Sequence, residues 1–252
     1  MRCLVIALTF LVMASAHAAT ISVVPLEHNA EQALVLIEGE LVLNDVDVFR
    51  DRIAAVRKAV VAFDSNGGSL IAGIEIGKMI RLKNFATLVT QGARCASACS
   101  IAWLGGTQRL MAPQAQIGFH AAYKVQLGAA TETGVGNAVL GAYLNEIGMP
   151  LRAVVYVTET PPDSMTWLTV KEAERQGIDV TPFNPAQLPA NGTTSKPSAM
   201  TGVTELQRKT GKFLSDLFAK LSGPKPWHCQ LVKGCTAPRP PKAIASKAQP
   251  RT

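Results

Sequence analysis

Between residues 33 and 180, short apolar runs alternate with stretches of helical period, and this alternation restricts the possible folds more than the composition does. Residues 33–41 read as a buried strand closing in a turn. Asn44 or Asp45 then caps a helix with Val48, Phe49, Ile53 and Val56 on one face. Residues 60–63 make a short strand that runs into Asp64-Ser65-Asn66-Gly67-Gly68, followed by an amphipathic helix carrying Leu70, Ile71, Ile74, Ile76 and Ile80. A strand at 86–90 leads through Gly92 to Cys95-Ala96-Ser97-Ala98-Cys99, whose small residues suit a tight entry into a buried helix. After Gly105-Gly106 come strand pieces at 109–111 and 115–120. Helices follow at about 131–146 and 151–157, and a third, from 170 to 175, is capped by Thr169 and ended by Gly177. Strands and helices at this spacing predict an α/β domain of repeated units with mainly parallel pairing.

The flanks differ from this core. At the front, Arg2, an apolar run over 4–13 and the small-residue pattern Ala16-His17-Ala18 predict a secretory signal peptide over 1–19, cleaved near Ala18 or Ala19. About ten apolar residues are too few to span a bilayer, so an uncleaved anchor is the weaker alternative. The α/β domain is expected to occupy 20–183, and a Pro/Gly/Ser/Thr-rich linker 184–202. An amphipathic helix is expected over 203–222, with Leu206, Phe213, Leu214, Leu217, Phe218 and Leu221 on one stripe. Such a stripe docks on the domain, on another copy or, in the minority reading, on a membrane. Residues 223–252 form a basic, Pro-rich tail, expected to be disordered apart from a short cysteine loop.

Charge separates the same two parts. Of 25 Lys/Arg and 18 Asp/Glu, 11 basic and 2 acidic residues lie from 184 onward. The remainder therefore holds 14 basic and 16 acidic residues and is nearly neutral. A neutral domain with a basic appendage argues against nucleic acid as a ligand, which needs a positive face toward phosphates. The tail suits an anionic membrane, a cell-wall polymer or an acidic partner. Loss of the leader removes Cys3 and leaves Cys95, Cys99, Cys229 and Cys235. Two close pairs in an exported chain read as two short-range disulfides, and no histidine stands at finger spacing to favour zinc.

The chemistry concentrates at two strand-to-helix corners and one strand end. Ser97 sits where a strand turns into a helix, so its hydroxyl can be exposed, and His120 ends a strand 23 residues later. Gly67-Gly68 closes the preceding unit, where main-chain amides without side chains can approach a substrate. A hydroxyl, an imidazole and free amides are the parts of a serine hydrolase.

These segments resemble the Clp protease proteolytic subunit and the wider crotonase superfamily. Residues 64–68 are similar to that family's Asn-Ser-Pro-Gly-Gly corner, with Asn66 for proline. Ala96-Ser97-Ala98 is similar to its Ala-Ser-Met nucleophile turn, and residues 115–120 to the strand that delivers its histidine. Trp167-Leu168-Thr169, Lys171-Glu172-Ala173 and Gly177-Ile178-Asp179 resemble its Phe-Leu-Ser, Pro-Glu-Ala and Gly-Leu-Val-Asp stretch. The resemblance covers about 33–180 and implies a spiral of β-β-α units that assembles into rings or stacked trimers. It also implies Ser97 as nucleophile, His120 as general base and the N–H groups of Gly68 and Ala98 as oxyanion hole. The family's aspartate aligns with Met165. Asp163 is the nearest substitute and Glu159 a poorer one. A Ser-Lys dyad would need a lysine such as Lys124, which is not well placed.

A Cys95–Cys99 bridge would clamp the nucleophile turn, a departure from the cytosolic family, and an oxidising compartment disfavours a free cysteine nucleophile. The expected protein is therefore a periplasmic or secreted, ATP-independent serine peptidase acting on peptides or unfolded segments, homo-oligomeric, without cofactor or metal. The chain shows no phosphate-binding glycine-lysine loop. The alternatives are a non-catalytic peptide-binding scaffold on the same fold and, more remotely, acyl-thioester chemistry, which needs a coenzyme A that an exported protein rarely meets.

Overall fold

The computed structural model describes residues 18–26, 29–126 and 128–184. The expectations for the leader before residue 18, the linker and helix beyond 184, and the tail with Cys229 and Cys235 lie outside the described residues.

In chain order the first elements are β1 (Thr20–Leu26), β2 (Asn29–Glu38), α1 (Asp45–Arg52), β3 (Lys58–Asp64), α2 (Leu70–Leu82) and β4 (Ala86–Val89). Next come β5 (Arg94–Ala96), α3 (Ala98–Leu104), β6 (Arg109–Met111), β7 (Gln116–Phe119), β8 (Tyr123–Gln126) and β9 (Ala129–Glu132). The last are α4 (Gly134–Glu146), α5 (Leu151–Thr158), β10 (Thr166–Trp167), α6 (Val170–Gln176) and β11 (Thr181–Pro182).

The main sheet has the order β1-β2-β3-β4-β6-β11, parallel from β2 onward, with β1 added antiparallel on the outer edge. Strands buried on both faces lose the alternation of polar and apolar residues, which is why 59–63 and 86–89 are unbroken buried runs. The period of two still sorts the side chains. Val35, Ile37, Val61, Phe63 and Val89 join the helices in the larger core, whereas Leu34, Val60, Ala62, Leu88 and Leu110 form a second cluster on the other face.

A smaller sheet, in the order β10-β7-β5, stands beside the first. The two are stitched where β3 ends. The Ser65 N–H donates to the Arg94 carbonyl at 2.7 Å, and the Ala96 N–H to the Ser65 carbonyl at 3.0 Å. Helices α2 and α3 then pack with almost no side chain between them. A Cβ on Gly73 would stand 2.3 Å from the Ala98 carbonyl oxygen, and one on Gly105 2.3 Å from that of Gly77. This close approach holds the start of α2, just after Gly68, against the start of α3, just after Ser97.

The structure departs from the expected elements in several places. The helix anticipated from about 131 begins at Gly134, after the hairpin of β8 and β9. Thr133 is the boundary, its hydroxyl accepting from the Gly136 N–H at 3.4 Å as a helix cap. Asn44 precedes α1 without a side-chain cap bond, while the buried Asp45 carboxylate accepts from the N–H groups of Val42 (2.7 Å) and Ala19 (3.3 Å). Thr169 caps α6 through the Glu172 N–H, and Gly177 ends that helix in the left-handed region at φ 69°. Strands β1, β10 and β11 were not among the expected ones; two of them are only two residues long. No helix among the described residues is long and apolar enough to cross a membrane.

Candidate active site

The segment Asp64-Ser65-Asn66-Gly67-Gly68 turns under main-chain control from both sides. Gly39 donates to the Asp64 carbonyl (3.1 Å), Leu41 to the Gly67 carbonyl (2.7 Å), and Ser69 to the Leu41 carbonyl (2.8 Å). The buried Ser65 hydroxyl accepts from the Gly67 N–H at 3.1 Å. Gly67 and Gly68 both have positive φ, 103° and 131°, which only glycine adopts at little cost. At Gly67 there is also no room: a Cβ would lie 2.7 Å from both the Ala96 carbonyl oxygen and the Ser97 Cβ.

Ser97 sits between β5 and α3 with φ 54° and ψ −126°. A non-glycine residue in this region carries strain of about 1–3 kcal/mol, sustained only where the surroundings over-determine it. Here they do. The Ser97 N–H donates to the Gly118 carbonyl at 3.0 Å, its carbonyl accepts from Ile101, and the Ser100 hydroxyl bridges the Ser97 and Gly118 carbonyls at 2.7 and 2.8 Å. Cys95 and Cys99, both fully buried, are joined by a disulfide that brackets the turn, with Cα atoms 5.1 Å apart. The Ser97 side chain, half-buried, makes no hydrogen bond to any described residue.

Ser97 and His120 line the same cleft of about 770 Å³, together with Ser65, Asn66, Gly67, Gly68 and Tyr123. They also line an adjoining recess of about 230 Å³ whose other walls are mainly apolar: Leu70, Ile101, Ala122, Val125 and Leu140. Gly68 and Ala98 both border this recess. Neither of their N–H groups donates to a described residue, so both are available to a ligand. His120 reaches the cleft from the end of β7, half-buried, with its ring 5.3 Å from that of Tyr123. Its Nδ1 lies 2.7 Å from the Ala121 carbonyl oxygen. A carbonyl only accepts, so this contact puts the proton on Nδ1 and leaves Nε2 as the free basic nitrogen. No hydrogen bond joins Ser97 and His120 as the cleft stands.

Asp163 lines the larger cleft too, on the loop with Pro162, Ser164 and Met165. It is exposed and makes no hydrogen bond to His120, whose Nδ1 faces the Ala121 carbonyl instead. Met165 packs its sulfur near Gly118 of β7. Glu159 follows α5 on the exposed side, and neither it nor Lys124, exposed on β8, borders the cleft or the recess. Glu38, Glu40 and Asp64 also line the cleft, and no lysine or arginine among the described residues does. No group of three or more His, Cys, Asp or Glu among the described residues is gathered as a metal site would require. The Ala121 carbonyl against His120 Nδ1 is the feature of the candidate site that sequence reasoning missed, since a main-chain oxygen leaves no mark in residue identity.

No family model matches this chain, and no curated protein sequence does. Among solved structures, a membrane-bound stomatin-specific protease, in a serine-to-alanine variant, superposes with a TM-score of 0.47 at 21% identity. The overlap covers 59% of this chain and 77% of that one. At this score the likeness carries no inference about the site.

Proposed function

We propose that the protein is an exported serine peptidase of the Clp/crotonase type that hydrolyses peptides or unfolded segments without ATP. The observation that carries this reading is the meeting of three things in one cleft: a strained, unbonded serine hydroxyl, an imidazole with its Nε2 free, and two unbonded main-chain N–H groups. Strain is retained where chemistry needs a side chain held out of its relaxed geometry.

In this mechanism Ser97 Oγ attacks the peptide carbonyl carbon while His120 Nε2 takes the hydroxyl proton. The negative charge forming on the carbonyl oxygen is met by the N–H groups of Gly68 and Ala98. His120 returns its proton to the departing amine, leaving an acyl group on Ser97. A water that gives a proton to His120 then attacks this ester, releases the acid and restores the serine. Catalytic hydrogen bonds are commonly long or poorly aligned before substrate binds, so a free enzyme without the Ser97–His120 bond is compatible with this role. The apolar recess receives a hydrophobic side chain next to the scissile bond.

The Cys95–Cys99 disulfide supports export, since such bonds persist in oxidising compartments. Periplasmic or secreted location, a homo-oligomer, and contact of the basic tail with an anionic membrane or cell wall belong to the same proposal. The deciding experiment is labelling with a fluorophosphonate. Wild type is expected to react at one residue and Ser97→Ala, shown folded by circular dichroism, not at all. A second reading, a peptide-binding scaffold, is favoured by the unjoined Ser97 and His120. Absence of labelling in folded, disulfide-intact protein would establish it over the peptidase.

A further inference from the structure

We propose that Asn137 is a positioning residue which, through the peptide group between Ala121 and Ala122, does for His120 what a carboxylate does in a serine triad. The inference rests on the hydrolase reading of Ser97 and His120 and names the device that keeps Nε2 basic.

The chain after His120 is held at three points. The Ala121 N–H donates to the Thr160 carbonyl at 2.7 Å, and the Ala122 carbonyl accepts from the Thr133 N–H at 2.8 Å. Both are main-chain bonds, and they lie on either side of the 121–122 peptide plane without fixing its rotation. The plane itself is fixed by a side chain. The Ala122 N–H donates to Asn137 Oδ1 at 2.7 Å, while the carbonyl at the other edge of the same peptide faces His120 Nδ1 at 2.7 Å. Asn137 cannot turn its amide over without loss, because its Nδ2 donates to the Glu132 carboxylate at 2.7 Å. The order is therefore Glu132, Asn137, the 121–122 peptide, His120: a carboxylate at one end, the imidazole at the other, and a main-chain dipole between them.

The chemical consequence lies in what happens when the plane turns. A peptide group rotates between fixed Cα atoms by opposite changes of ψ at 121 and φ at 122. Rotated half a turn, it would present an N–H to Nδ1 in place of a carbonyl. Nδ1 would then have to accept, the proton would move to Nε2, and Nε2 could no longer take the Ser97 hydroxyl proton. Asn137 opposes that rotation by holding the N–H outward. A neutral carbonyl stabilises imidazolium less than a carboxylate does, so the device fixes orientation and tautomer more than it supplies charge.

The test reads the tautomer and the reactivity separately. Nitrogen-15 NMR of histidine-labelled full-length protein, with His120 assigned by substitution, is expected to show the proton on Nδ1 in wild type. That is the reverse of the preference of free histidine. In Asn137→Ala the Nε2–H form is expected to appear, and fluorophosphonate labelling of Ser97 to slow about 10- to 100-fold, by analogy with the loss when the outer partner of a metal-bound histidine is removed. Asn137→Asp combined with Glu132→Gln, which keeps the accepting oxygen and removes the like charge facing position 137, is expected to label within about fivefold of wild type, with the proton still on Nδ1. An Nε2–H tautomer in wild type overturns the proposal, as does a folded Asn137→Ala with unchanged tautomer and labelling rate. If Asn137→Ala does not fold, the wild-type tautomer and the Asn137→Asp, Glu132→Gln pair decide: an Nε2–H tautomer in either counts against the proposal. A wild type that never labels refutes the hydrolase reading, while its NMR spectrum still reports the tautomer.

Discussion

The two walls of the cleft are built on different terms. On the serine wall, the Gly67-Gly68 corner and the Ser97 turn are held by main-chain bonds to three other strand ends, by a buried disulfide and by glycines that leave no free volume. Elsewhere in the lining, Tyr123 and Val125 of the exposed β8 and Asp163 on an exposed loop border the cleft and recess. Strain at Ser97 can persist only on the first kind of wall, because a loosely held turn would relax into an ordinary conformation. Under the proposed hydrolase reading, the contrast gives precision to the Ser97 side, with the Gly68 and Ala98 N–H groups, and adaptability to the other side.

The largest expected effect that sharpens this contrast is at glycine. Gly67→Ala places a Cβ 2.7 Å from the Ala96 oxygen and the Ser97 Cβ at φ 103°, so backbone must move. A loss of roughly 3 kcal/mol or more is expected in urea unfolding, with labelling of Ser97 abolished. Gly128→Ala, in the β8–β9 turn at φ 80° with nothing described within 4 Å, is expected to cost about 1 kcal/mol and leave labelling intact. Equal losses at the two positions would break the comparison.

Next is the disulfide. Replacing both Cys95 and Cys99 by alanine opens a loop of sequence separation 4, for which loop entropy predicts about 2 kcal/mol. Calorimetry is expected to show a lower Tm, and labelling of Ser97 is expected to slow by more than the fraction unfolded explains.

A smaller effect concerns alkaline pH. Burial holds the Tyr143 hydroxyl well above the ordinary tyrosine range, between α2 and α3, where it donates to the Ile101 carbonyl at 3.2 Å. Above about pH 10 the unfolded chain loses this proton while the native state keeps it. The native state then binds more protons, and stability falls as pH rises. Tyr143→Phe is expected to cost about 1 kcal/mol at pH 8 and to flatten the decline between pH 9 and 11. An unchanged slope in urea unfolding across those pH values would show that the hydroxyl is not closed off by the packing of the serine wall.

The smallest effect is at Asp163. Asp163→Asn is expected to change the labelling rate by less than about threefold, where loss of a triad carboxylate costs about 10⁴ in kcat. A loss approaching that size would show that the loop closes to bring the carboxylate to His120, and the two walls would be less different than they stand here.

Much of this was legible in the sequence because it depends on local chemistry. Gly67-Gly68 marks a corner that only glycine can turn, Ala-Ser-Ala between cysteines marks a tight entry into a helix, and the apolar runs at 60–63 and 86–89 mark buried parallel strands. The hairpin at 123–132 was not legible: Tyr123–Gln126 is short and exposed throughout, and Ala129, Ala130 and Thr131 suit a helix start as well as a strand, with Thr133 deciding only as a cap. Strands β10 and β11 carry too few residues for any period to show. The partner of His120 was sought among carboxylates because side chains are what a sequence displays.

Residue identity by itself determined the alternating α/β core, the tight turn at Ser97 and the glycines beside it, because each follows from conformational preference and burial within a few residues. Tertiary structure decided which groups share the cleft, that the Ala121 carbonyl and not Asp163 meets the imidazole, and that Asn137 stands behind it. Those outcomes depend on distances between segments far apart in the chain, set by how α2, α3 and the two sheets pack, and no local preference encodes them.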